Sequence, residues 1–236
     1  IPAWIDRVFG LFVVDLGAPN FNVNRTFLQP SPAGGVDTVT DANRIPERGG
    51  RPSSVHVTLR IGTMTVVPED PLTADTSPKV LNAVLDHLWG NFDAKWETKV
   101  GFGGGFVRRL GNIGLSVLDQ FETIIDYTHK RLVLIRLDSA GHRMVPVPAY
   151  TPAWTTPLFY VGRSPVKRQN WWGINITPQM MLDTANTAND TVPVILDTGF
   201  PTNYVLFGMP LVGYPFLSAF GVFGVNNRAH QFILYR

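Results

Sequence analysis

Apolar and polar positions alternate most cleanly between Val55 and Val67, where Val55, Val57, Leu59 and Ile61 face one way and His56, Thr58 and Arg60 the other. That period of two predicts strands, with Gly62-Thr63 as the tip of a hairpin and a candidate flap over a cleft. Earlier, the apolar run Phe12-Val13-Val14 predicts a strand that ends at Asp15-Leu16-Gly17, and residues 20–28 alternate again with Phe21, Val23 and Phe27 turned inward. Residues 29–54, rich in Pro, Gly, Asp and Arg, predict a surface loop. The period changes at Ser77-Pro78: Val80, Leu81, Val84, Leu85 and Leu88 fall at helical spacing with Gly90 behind, which predicts a capped amphipathic helix. Gly101-Phe102-Gly103-Gly104-Gly105 is followed by no Gly-Lys-Ser/Thr and predicts a flexible loop rather than a phosphate cradle.

Two later stretches share one layout. Asn112-Ile113-Gly114 leads into a predicted short helix, a strand over Glu122 to Tyr127, a turn at Thr128 to Lys130 and a strand from Arg131 to Ile135. Leu211-Val212-Gly213 leads into the same series, with a strand over 221–225, a turn at Asn226 to Ala229 and a strand from His230 to Leu234. Gly114, Leu118 and Phe121 are spaced as Gly213, Leu217 and Phe220. Each closing unit is preceded by an apolar strand ending in Asp-x-Gly. The first copy is Val13-Val14-Asp15-Leu16-Gly17, the second Ile195-Leu196-Asp197-Thr198-Gly199, and both have Pro at the fourth position after the Asp, Pro19 and Pro201. The chain is thus two repeats of one architecture. Ala140 to Pro165, rich in Pro and aromatics, connects them; Trp171 to Ile176 is a strand entering the second copy, and Asp183 to Asp190 a polar hairpin loop.

Composition narrows the class. With 44% hydrophobic and 16% charged residues in 236, the chain has material for a substantial core, and its 22 Gly and 19 Pro suit β-structure with many turns. A net charge of +2 with scattered arginines lacks the dense basic stripe of a nucleic-acid groove, so no nucleic-acid partner is expected. No cysteine is present, which excludes disulfides, thiolate metal sites and cysteine nucleophiles. The five histidines, His56, His87, His129, His142 and His230, show no ligand spacing, and no metal or cofactor is expected. Tyr204 to Val225 is uncharged but broken by Gly and Pro, which predicts buried strands joined by turns rather than an integral membrane segment. A start at Ile1 without Met is what a mature or trimmed chain would show, and the sequons at Asn24, Asn175 and Asn189 add little. No Gly-x-Ser-x-Gly elbow accompanies these motifs, and Asp119, Asp126 and Asp183 lack a comparable frame and are expected to be solvated or capping residues.

The paired Asp-x-Gly strands and their closing units resemble the aspartic peptidases of the pepsin and retropepsin kind. The resemblance implies a mainly β, two-lobed acid protease fold with pseudo-two-fold related lobes and a few short helices. An N-terminal lobe at 1–143 would carry Asp15-Leu16-Gly17, and an abbreviated C-terminal lobe at 144–236 would carry Asp197-Thr198-Gly199. It implies an endopeptidase in which Asp15 and Asp197 activate a water, supported by Gly17, Thr198 and Gly199, acting on an extended polypeptide held in an inter-lobe cleft by strand-like hydrogen bonds. A monomer, secreted or at the cell surface, is expected on the same ground. Three features depart from the family: Leu16 replaces the usual Thr or Ser, the segment between Gly199 and Gly213 is short, and no Tyr lies between Gly17 and Gly114 to serve as a flap tyrosine. Leu16 therefore predicts that one half of the reciprocal hydroxyl-to-backbone bonding beneath the dyad is missing. The alternative is a non-catalytic relative that kept the fold as a binding or inhibitor module.

Overall fold

A computed structural model describes residues 1–18, 21–24, 28–30, 36–38, 54–66, 81–86, 101–102, 105–106, 109–161, 171–176, 192–199, 204–206 and 209–235. The described chain is mainly β, with α-helical turns at Leu115–Leu118 and Tyr214–Leu217 and a 3-10 turn at Ser218–Phe220. No helix among the described residues is long and apolar enough to cross a membrane. Two compact units are present, one of Ile1–Val14 and Asn20–Val117, the other of Asp15–Pro19 and Leu118–Arg236.

The first unit is built on an eight-stranded sheet. Strand Val8–Val14 buries Val8, Gly10 and Phe12 and turns Phe9 outward, as its alternation dictates. It folds back from Pro2–Ile5 through the tight turn Asp6-Arg7, where Asp6 takes a φ of 51° and accepts a hydrogen bond from the Thr58 amide at 2.8 Å. Leu59–Ile61 and Met64–Val66 form the expected hairpin around Gly62, whose φ of +59° suits a residue without a side chain. This hairpin forms the edge of the sheet, attached through pairing of Leu59–Ile61 with Pro2–Ile5. Phe21 and Val23 are buried as expected, while Phe27 lies outside the described residues.

Four local expectations differ from the structure. Within the helix expected after Ser77-Pro78, the described residues Leu81–Asp86 form a strand, parallel to Asn22–Asn24 and antiparallel to Ser54–Val57. Leu81, Ala83 and Leu85 also alternate with period two, so the segment fits both patterns, and pairing on both sides decides in favour of the sheet. Inside the expected 29–54 loop, Leu28–Pro30 pairs with Val36–Thr38, and in the glycine-rich stretch Gly101–Phe102 pairs with Gly105–Phe106. The connection expected over 140–165 carries two strands, Pro152–Pro157 and Phe159–Val161. The first is an edge strand with proline at both ends, a position where missing N–H donors cost no ladder bond. The polar loop at Asp183 to Asp190 lies outside the described residues.

The second unit holds two five-stranded sheets. One joins both repeats: Phe121–Asp126 and Arg131–Arg136 from the first lie beside Val222–Asn226 and Gln231–Tyr235 from the second, with Pro152–Pro157 at the far edge. The compact units therefore divide differently from 1–143 and 144–236, because Phe121–Asp126 pairs along its length with Val222–Asn226. Ile124, Ile135, Ile233 and Tyr235 form the core on one face of this sheet, with Val147 and Tyr150 of the connection packed over it.

The strands around the Asp and the closing unit correspond in the two repeats. Val14 pairs in parallel with Ile113, the residue before Gly114, and Leu196 pairs in parallel with Val212, the residue before Gly213. In each copy the closing strand is slotted between the strand that precedes the Asp and the strand that follows it, Asn22–Asn24 or Tyr204–Leu206. The two later turns also correspond: Asp126 Oδ1 accepts the His129 amide at 2.9 Å, and Asn226 Oδ1 accepts the Ala229 amide at 2.9 Å. Lys130 and His230 then take left-handed φ values of 55° and 53°. The helices are 99 residues apart and the turns 100, so the second copy holds one extra residue between Leu217 and Asn226, an interval that contains Gly221 at a φ of +70°.

Candidate active site

Each aspartate sits where a buried strand stops. Val194, Ile195 and Leu196 are fully enclosed and fix the end of their strand, and Phe12 anchors the equivalent strand before Asp15. The carboxylates are then held by the turns they open. Asp15 Oδ1 accepts the amides of Gly17 at 2.9 Å and Ala18 at 3.0 Å, and Asp197 Oδ1 accepts the amide of Gly199 at 3.0 Å. The Asp197 amide donates to the Val212 carbonyl at 3.1 Å, tying the aspartate to its closing unit. In that unit Pro215 opens the helical turn, where its missing N–H is no loss, and the Leu217 amide bonds to the Gly213 carbonyl at 3.0 Å.

The two motifs meet across 182 residues of sequence. The Leu16 amide donates to the Thr198 hydroxyl at 2.9 Å. Leu16 has no hydroxyl to return the bond, so the one-sided arrangement expected from its side chain is present; the residue is instead almost fully buried, at 1% exposure. A sharper sign of proximity comes from the glycines. A methyl on Gly17 would stand 2.5 Å from Cγ of Asp197, and one on Gly199 would stand 2.4 Å from Cγ of Asp15. Each carboxylate thus rests against the glycine of the other motif, and the two acids occupy one site. Neither glycine has a left-handed φ, so close approach by the opposite carboxylate, rather than turn geometry, is what requires them. Asp15 is buried, at 7% exposure, and Asp197 is half-buried.

All five residues expected from the sequence, Asp15, Gly17, Asp197, Thr198 and Gly199, are therefore brought together. Two contributors escaped the motif reading: the Ala18 amide and the Val212 carbonyl. Both are backbone groups, and only the repeat of strand, Asp-x-Gly and closing unit could have pointed to them.

Other polar clusters lie in the second unit. Glu122, almost fully buried, is gripped by Arg143 through Nε at 2.8 Å and Nη2 at 2.5 Å, and also accepts the Tyr235 hydroxyl. The bond to Glu122 raises the Arg143 guanidinium further, and burial followed by Glu122 pushes the Tyr235 phenol up. The Tyr235 ring lies over Gly224, where any side chain would meet it within 2.8 Å. Asp126 is buried too, which corrects the expectation of a solvated residue while leaving its capping role in place. Asp119 accepts the Asn227 side-chain amide at 2.6 Å, and Asp183 lies outside the described residues. His129 and His142 each pair with a nearby carboxylate, Asp126 and Asp138, and among the described residues no three acidic or imidazole groups converge as a metal site.

Comparison with protein-family models, curated proteins and solved structures finds no match to this chain.

Proposed function

We propose that the chain is an aspartic-type endopeptidase of the two-lobed, pepsin-like kind, with Asp15 and Asp197 as its catalytic residues. The observation that carries this reading is the exchange of glycines: Gly17 lies against Asp197 and Gly199 against Asp15. Two carboxylates confined to one site share a proton more readily than both carry full charge. The ionised member takes a proton from a water, whose oxygen attacks the peptide carbonyl carbon, while the protonated member gives its proton to the carbonyl oxygen. The tetrahedral diol then collapses: the proton held by the first carboxylate passes to the leaving nitrogen, the C–N bond breaks, and the second carboxylate takes a proton back from a diol hydroxyl, which becomes the carbonyl of the acid product. Backbone donors Gly17, Ala18 and Gly199 hold both acids in position without any side chain that could drift. The substrate in this reading is an extended polypeptide.

Leu16 favours a second reading, a binding or inhibitor module with the same fold, because the hydroxyl bond beneath the dyad runs one way only. An acid-pH assay on a library of unstructured peptides separates the two, with Asp15→Asn, Asp197→Asn and a statine-type inhibitor alongside. The peptidase reading expects cleavage by the parent, block by the inhibitor, and loss of about 10²–10⁴-fold in both variants, the range for removing a positioned acid or base. Peptide binding without cleavage supports the module. Equal cleavage by the parent and Asp197→Asn contradicts the mechanism.

A further inference from the structure

The first part of the connection between the repeats, Arg143 to Tyr150, lies across one strand and is fastened at each of its ends by a buried carboxylate. Strand Phe121–Asp126 presents Glu122, Ile124 and Asp126 on one face, as its period of two requires. Arg143, where the connection begins, grips Glu122; Val147 packs against the core that contains Ile124; and the Tyr150 hydroxyl donates to Asp126 Oδ2 at 3.2 Å. Between the fastenings, Met144 and Val145 are exposed.

The Asp126 end carries more than its turn needs. The turn requires an acceptor for the amide three residues on, and the equivalent turn makes that bond with uncharged partners, Asn226 and Ala229. In the first turn Asp126 also binds the His129 ring, with Nδ1 2.8 Å from Oδ2, and the same oxygen takes the Tyr150 hydroxyl. The carboxylate, the imidazole and the phenol are therefore additions to a turn that forms without them. The other groups facing this site are Arg131, paired with Asp126 across the hairpin and directed also at Tyr150, and Tyr235, edge-on to Tyr150 at 5.8 Å; the strand on the other side offers the apolar Val222.

We propose that Asp126, His129 and Tyr150 form a charge-dependent clasp that fastens the connection to the sheet and lets go in strong acid. Burial works against the ionised carboxylate, but the His129 amide, the His129 ring and the Tyr150 hydroxyl outweigh it and hold Asp126 below the ordinary value of 3.8. A depressed folded-state value means that the stabilisation is complete above 3.8 and disappears as pH falls through the lower, folded value. The clasp stands apart from the peptidase reading, because its signature is stability and not turnover.

The test is the thermal midpoint of the full chain from pH 6 to pH 2 in the parent, Asp126→Asn, His129→Ala and Tyr150→Phe. Asn and Ala are what the second turn carries at the first two positions, so those variants keep a turn this fold already uses. The clasp predicts that each variant melts roughly 2–6 °C below the parent at pH 5–6 and that the gap narrows as pH falls below 3.8 and is smallest at pH 2. A gap of the same size at pH 6 and pH 2 overturns it, as does a Tyr150→Phe midpoint equal to the parent's throughout. If Asp126→Asn fails to fold, His129→Ala and Tyr150→Phe decide the matter by the same criterion.

Discussion

Gly17→Ala is the most informative single change at the site. The added methyl carbon would stand 2.5 Å from Cγ of Asp197 and 2.6 and 2.8 Å from its two oxygens. Carbon atoms rest at about 3.5–4.0 Å, so the carboxylate or the Gly17 backbone must give way by about 1 Å. Neither is free to move without loss. Asp197 is held by the Gly199 amide at 3.0 Å, and Gly17 donates to Asp15 at 2.9 Å. Forcing a methyl into such a site costs roughly 1–3 kcal/mol, or about 2–12 °C in thermal midpoint for a chain of this size. A displacement of about 1 Å at a reacting group costs on the order of 10²-fold in rate. On the proposed peptidase reading, the expected result is a folded protein that cleaves peptides at most about 1% as fast as the parent, with the loss in kcat rather than KM. Because the methyl pushes on the opposite motif, the carboxyl carbon of Asp197 should shift in a ¹³C spectrum more than that of Asp15. Unchanged kcat in a folded Gly17→Ala protein would refute the placement of Asp197 against Gly17.

Thr198→Val removes the acceptor for the Leu16 amide while keeping the shape of the side chain, and is expected to lose about 1–3 kcal/mol together with a drop in kcat; Thr198→Ser, which keeps the hydroxyl, should restore most of both. Thermal midpoints and kcat for the pair check this, and equal behaviour of Val and Ser would show that the bond does not matter. Arg143→Met strands the buried Glu122 carboxylate, at a cost of about 3–5 kcal/mol in chemical denaturation, and the double variant with Glu122→Gln should recover a large part of it. No recovery in the double variant would mean that Arg143 acts through packing alone.

What the sequence revealed depended on whether a signal was local or had a second copy. The site residues were legible because Asp15-Leu16-Gly17 and Asp197-Thr198-Gly199 each follow an apolar strand, and because Gly114 and Gly213 head matching closing units. The Gly62-Thr63 hairpin was legible from alternation and a turn glycine. Leu81–Asp86 was misread as a helix because its apolar residues satisfy both periods, and its partners, Asn22–Asn24 and Ser54–Val57, are distant in sequence. The strand Pro152–Pro157 was hidden by prolines that mark its ends as an edge rather than excluding it from a sheet. Burial of Glu122 and Asp126 had no sequence signal, since each depends on a side chain from a separate segment, Arg143, Tyr150 or Tyr235. The reason for Gly17 and Gly199 was likewise visible only in three dimensions: the space each leaves is filled by the carboxylate of the other repeat.

Whether Asp15 and Asp197 behave as one unit is read by following the ¹³C carboxyl resonance of Asp15 through an acid titration in the parent and in Asp197→Asn. If the two acids share one site, the Asp15 signal of the parent moves in two steps shared with Asp197, and Asp197→Asn collapses them into one. A single Asp15 step that is the same in the parent and in Asp197→Asn would contradict a shared site.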